Sequence, residues 1–160
     1  MKNLLTAVVL LLIAGVTFSQ NQVLNSDYYN VNEQLIAIEG YDPVAYITQQ
    51  KAIKGKKELS FIKSGVHYFF SSEKNRELFK SDVQKYEPVY GGWCAFAMGN
   101  SGEKVEVDPE TFKIIDGKTY LFYNFYFNNT LKDWNKQQAD LKRKGDKNWE
   151  AIKVKAVKKN

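Results

Sequence analysis

Two consecutive glycines, Gly91-Gly92, open an uncharged run, Trp93-Cys94-Ala95-Phe96-Ala97-Met98, and Gly99-Asn100-Ser101-Gly102 leaves it. Paired glycines suit a sharp bend of the backbone or a close approach of another chain segment. The run holds the only cysteine and one of the two methionines. A lone cysteine forms no disulfide within the chain, so the fold must rest on its hydrophobic core. At 160 residues, the chain is long enough for one domain with a substantial core and too short for two comfortable ones. Aromatic residues make up 14%, which favours strands and a compact aromatic interior.

Strand and turn signals are spread along the chain. Residues 58–63, the turn Ser64-Gly65 and residues 66–70 read as a β-hairpin. The clearest hairpin turns at Asp116-Gly117, where both positions tolerate a positive φ. Asp42 is placed to cap a short helical segment after Pro43, since proline suits the first helical position. Ser72 caps a helix over 73–80, with Glu73 in its first turn, a second turn follows over 82–86, and Pro88 stops it. Leu131, Trp134, Gln138 and Leu141 give a helix over 130–142 an apolar stripe, closed by Gly145. The expected fold is therefore a single α+β domain of small antiparallel β-hairpins packed with short helices.

Residues 1–19 read as a secretory signal peptide: a basic start at Lys2, an apolar run over 4–16, and small residues at Thr17 and Ser19 before the polar Gln20-Asn21-Gln22. The apolar run is short for a membrane span, and no other stretch is long and apolar enough. The mature chain is thus expected to be periplasmic or secreted. A polar, asparagine-rich flexible leader over 20–34 precedes the domain at 35–152, and a basic tail over 153–160 follows it. Net charge is +5, from 23 basic and 18 acidic residues. The excess gathers in that tail, which reads as a solvated terminus. No nucleic-acid motif is present, and export argues against such a partner.

Five blocks of sequence stand in a recognisable order: Gly40-Tyr41-Asp42-Pro43-Val44-Ala45-Tyr46; His67-Tyr68-Phe69-Phe70-Ser71-Ser72; Asn75-Arg76-Glu77-Leu78-Phe79; Tyr86-Glu87-Pro88-Val89-Tyr90-Gly91-Gly92-Trp93-Cys94-Ala95; and Val107-Asp108-Pro109 with Asp116-Gly117-Lys118-Thr119-Tyr120-Leu121. Together they resemble the YHS-domain proteins, in the exported single-domain branch, over roughly residues 32–152. The resemblance implies a small binding module. Shorter YHS domains are thought to bind metal, copper among the candidates, through cysteines. At the matching positions this chain carries Ala45, Phe70 and Asn75.

The residues themselves offer three sites. Cys94, in the first turn of a short helix, would have its sulfur's negative charge favoured by the helix dipole, with Met98 one turn on along the same face. A thiolate and a thioether are soft donors suited to Cu(I), and His67, the only histidine, would complete a copper-like set. The plain alternative makes Cys94 and Met98 buried apolar residues and His67 a strand residue half in solvent. Tyr41, Asp42 and Asp108, at two Asp-Pro turns, either line a polar pocket or simply make the turns. Tyr90 and Trp93 either pack or line a small-molecule cleft. The leading expectation is an exported module holding a metal ion or small ligand near Cys94. One alternative is a thiol-dependent enzyme or redox partner using Cys94 with His67. The other is a structural or partner-binding domain without chemistry.

Overall fold

The computed structural model describes residues 28–158. The expected signal peptide, leader residues 20–27 and tail residues 159–160 lie outside the described residues. Within them the chain is an α+β domain of helices and two-stranded antiparallel sheets, as expected.

Helix α1 (Pro43–Thr48) starts where Asp42 caps it and Pro43 takes the first position. The first hairpin pairs β1 (Lys56–Lys63) with β2 (Val66–Phe70) and carries a bulge between Lys56 and Ser60. Ser72 then caps α2 (Glu73–Ser81), and Asp82 caps α3 (Val83–Tyr86). A tight 3-10 turn, Val89–Gly92, leads into α4 (Ala95–Asn100). The second hairpin joins β3 (Asp108–Ile115) to β4 (Lys118–Phe122) through Asp116-Gly117, both at positive φ, the geometry that a two-residue hairpin requires. A miniature hairpin, β5 (Asn124–Phe125) with β6 (Asn128–Asn129), precedes α5 (Thr130–Lys136) and α6 (Gln138–Lys158).

The C-terminal helices differ from the expectation. Instead of one helix over 130–142, the chain breaks at Gln137 (φ −140°, ψ 29°) and restarts as α6. Gly145 does not end that helix but lies inside it. Its reason is a close crossing: a Cβ there would stand 2.7 Å from the Tyr90 hydroxyl oxygen. Gly99 plays the same part on α4, where a Cβ would come within 2.4 Å of the Leu141 carbonyl oxygen. These two glycines let α4 and the Tyr90 loop lie directly on α6. Asn148 ties the crossing by donating to the Met98 carbonyl at 2.9 Å.

The interior has two clusters of buried side chains. One holds Tyr46, Tyr68, Phe70, Phe79, Cys94 and Leu121 among others; the second holds Tyr90, Ala95, Met98, Phe122, Trp134 and Leu141. β4 stands between them, because residues 119–122 are all buried and alternate residues face opposite sides. Residues 90–98 likewise feed both clusters, which is why the chain is organised around that stretch.

The expected leader becomes part of this structure from Tyr28 onward. The Asn30 N–H donates to the Gly91 carbonyl at 2.8 Å, the Asn30 amide to the Gly92 carbonyl at 3.1 Å, and the Trp93 indole N–H to the Tyr28 carbonyl at 3.0 Å. Residues 28–30 thus strap the glycine turn.

Candidate functional site: an aromatic cleft beside the glycine turn

Cys94 precedes α4 as its N-cap residue, but its sulfur does not cap the helix. The side chain is fully buried. Sγ accepts from the Tyr123 N–H at 3.4 Å and lies 3.5 Å from the Thr130 hydroxyl. That hydroxyl gives its own proton to the Tyr123 carbonyl at 3.0 Å, so the S–H is left to donate to Thr130. Met98 is also fully buried and packs in the second cluster. His67 is half-buried on β2, on the face opposite Val66, Tyr68 and Phe70, and those three residues point into the cluster that contains Cys94. The three expected donors are therefore spread over different surroundings. Among the described residues, no group of three or more His, Cys, Asp and Glu side chains stands close enough to hold a metal ion.

Asp42 is fully buried. One carboxylate oxygen accepts from the Val44 and Ala45 N–H groups at 2.9 and 3.3 Å. The other accepts from the Ser71 N–H, the Ser71 hydroxyl and the Asn75 amide at 2.8, 2.6 and 2.7 Å. The carboxylate fastens α1 to the start of α2, with every donor supplied from within the domain. Ala45 and Asn75, two of the positions where the resemblance expects cysteines, donate to it, and the third, Phe70, immediately precedes Ser71. Asp108 serves its own strand in the same manner, accepting from the Glu110 N–H and the Thr111 hydroxyl, with the Asn124 amide also donating. Tyr41 donates to Glu110 at 2.9 Å and carries Lys54 over its ring at 4.1 Å. The two Asp-Pro turns thus spend their carboxylates on backbone and neighbouring side chains.

Tyr90 has a different setting. Its φ of +58° is a left-handed conformation that costs a bulky residue about 1–3 kcal/mol. The ring is held there by contacts at each end. Its hydroxyl donates to Asp146 at 2.9 Å, and its ring meets Tyr120 at 5.8 Å and Trp149 at 6.3 Å, both edge to face. Burial and Asp146 together raise its pKa well above the usual phenol range. Gly91 follows at φ +62°, and a Cβ on it would strike the Tyr28 carbonyl at 2.5 Å and the Trp149 ring at 3.1 Å.

This turn forms one wall of a cleft of about 570 Å³. Its aromatic lining is Tyr28, Tyr29, Tyr90, Tyr120 and Trp149; its charged lining is Glu87, Lys118, Asp146, Glu150 and Lys153. The volume falls within the roughly 300–1,000 Å³ that small-molecule sites occupy. No family model, no curated protein and no solved structure matches this chain. The cleft must be read from its own chemistry.

Most charges in the cleft are already matched. Glu150 pairs with Lys153. Asp146 pairs with Lys142 at 2.9 Å and takes the Tyr90 hydroxyl. Glu87 is different. It accepts from the Tyr68 hydroxyl at 3.0 Å and from the Tyr29 phenol. Among the described residues no cation stands within ion-pairing distance of it. Burial raises its pKa, and the phenols and the more distant Lys63 and Lys118 only partly counter that. The Tyr29 phenol, desolvated and facing Glu87, is pushed up to about 12.

Of the residues singled out in the sequence, Tyr90 lines the cleft and Trp93 anchors its strap. Tyr28, Tyr29, Glu87, Lys118 and Asp146 carry no local pattern that marks them as lining a cleft. The adjacent tyrosines in an otherwise polar, asparagine-rich stretch were the one available signal.

Proposed function

We propose that this chain is an exported binding module of the YHS type that holds a small molecule in the cleft between residues 28–29, the Val89–Gly92 turn and α6. The single observation that carries the reading is the cleft itself, lined by aromatic and charged side chains from separate parts of the chain, with Tyr90 at its wall. A bulky residue is kept in a costly backbone conformation at the wall of an aromatic cleft, and such strain concentrates at binding sites. The gathering of Ala45, Asn75 and the Phe70-Ser71 step around the Asp42 carboxylate supports the family reading, since three separated sequence positions meet at one point. It also supports a module that does not hold metal there, because hydrogen-bond donors fill the place of thiols. A copper site at Cys94, Met98 and His67, or a thiol enzyme using Cys94 and His67, draws less support: the sulfur is fully buried and its polar partners are Thr130 and Tyr123.

The test is a ligand screen of the mature protein by two-dimensional amide NMR with a fragment library of mixed charge. Binders should shift the Tyr28, Tyr90, Gly91 and Trp149 signals together. A library without effect on these signals overturns the reading. So does a Cu(I) titration in competition with a chelator that shows Cys94-dependent binding while the cleft stays silent.

A further inference from the structure

The cleft's charges point to the class of its ligand. Once Glu150–Lys153 and Asp146–Lys142 are set aside as pairs, two charged groups on the wall keep no ion-pair partner among the described residues. One is the Glu87 carboxylate, held by two phenols. The other is the Lys118 ammonium, which donates to the Gln84 carbonyl. They are opposite in sign and close enough for Lys118 to influence Glu87, yet they are not in ion-pair contact. Burial disfavours the charged form of Glu87, so a cation arriving from solution is rewarded there.

The aromatic rings say what kind of cation. Tyr28 and Trp149 meet at 5.4 Å with their planes 76° apart, and Tyr90 meets Trp149 at 63°. These edge-to-face contacts pack the rings on one another, so together they give the cleft an aromatic wall beside Glu87, a surface that suits an alkylated ammonium better than a strongly hydrated cation.

We propose that the cleft binds a small zwitterion, its alkylated ammonium group against Glu87 and the aromatic wall and its anionic group toward Lys118. The assignment rests on the cleft being a ligand site. It goes further in requiring both charges on one molecule, since a simple cation leaves Lys118 unanswered and a simple anion leaves Glu87 unanswered.

The experiment is calorimetric titration of the mature protein with glycine betaine, choline and acetate, repeated on Glu87→Gln and Lys118→Met. Glycine betaine should bind about tenfold or more tightly than choline or acetate. Glu87→Gln should weaken glycine betaine and choline about tenfold. Lys118→Met should weaken glycine betaine similarly and leave choline unweakened. Because the Glu87 carboxylate is partly buried and accepts from the core residue Tyr68, the folding of both variants is checked by near-ultraviolet circular dichroism. Choline binding as tightly as glycine betaine, or either variant leaving glycine betaine unchanged, overturns the zwitterion. If none of the three probes binds while neutral fragments still shift the cleft signals, the zwitterion is overturned and the cleft stands as a ligand site.

Discussion

Replacing Asp42 with alanine tests whether one buried carboxylate holds the N-terminal half of the domain together. The substitution removes the acceptor for two N-cap bonds on α1 and three bonds to Ser71 and Asn75. Loss of an N-cap alone costs about 1 kcal/mol. Each buried donor left without a partner costs about 1–3 kcal/mol. The Ser71 hydroxyl can turn toward another acceptor, but the Ser71 N–H and the Asn75 amide cannot move as freely. Bonds to one group are not additive, so the expected total is about 4 kcal/mol. That is a large share of the roughly 5–15 kcal/mol by which a domain of this kind is stable. Asp42→Asn should be nearly as harmful, because its NH₂ faces donors rather than acceptors. Ser71→Ala should cost only about 1 kcal/mol. Equilibrium urea unfolding followed by tryptophan fluorescence reads these values as shifts in midpoint at constant slope. The double variant Asp42→Ala/Asn75→Ala should cost little more than Asp42→Ala, since the amide would no longer be stranded. An Asp42→Ala cost below about 1 kcal/mol, or an Asp42→Asn variant as stable as the wild type, would refute the accounting.

Gly99→Ala and Gly145→Ala each gain about 1 kcal/mol of helix propensity, yet both should lower the melting temperature, because the new Cβ meets the Leu141 backbone or the Tyr90 ring. Tyr90→Phe, which removes the atom nearest to Gly145, should restore part of the Gly145→Ala loss; no rescue would mean that the crossing is looser than described. Glu87→Gln should stabilise the protein near neutral pH. The folded-state pKa of Glu87 is raised, so its stability contribution is intact at low pH and is lost as pH rises through that folded value. The gain from Gln should therefore vanish in acid, and urea titrations across the carboxylate range would show whether it does. Tyr126 and Phe127 form an exposed hairpin turn with φ of +51° and +64°, a conformation that asparagine and glycine adopt without strain. Tyr126→Asn/Phe127→Gly should thus gain about 1–2 kcal/mol, and thermal unfolding would detect a failure to do so. Cys94 should react with an aromatic disulfide reagent only as fast as the protein opens; rapid labelling of the native protein would contradict its burial.

Much of the fold was legible in local pattern. The caps at Asp42 and Ser72, the proline stop at Pro88 and the Asp116-Gly117 turn act over three or four residues, so neighbours in sequence are enough to specify them. The C-terminal helix was misread for the same reason. A glycine near a helix end signals a stop only if nothing else explains it, and at Gly145 the explanation is Tyr90, 55 residues away along the chain. His67 and Cys94 look like partners in a list of donors, but strand alternation turns one of them away from the core that holds the other.

The sequence by itself determined the class of fold, the two main hairpins and the pivotal place of residues 90–98, because backbone preferences and apolar periodicity are properties of short segments. Only the tertiary structure decided which side chains share a cavity. The cleft draws Tyr28 and Tyr29, Glu87, Lys118 and Trp149 from four separate parts of the chain. Their charges acquire meaning through burial and through which of them find partners, and both are fixed by packing at long range.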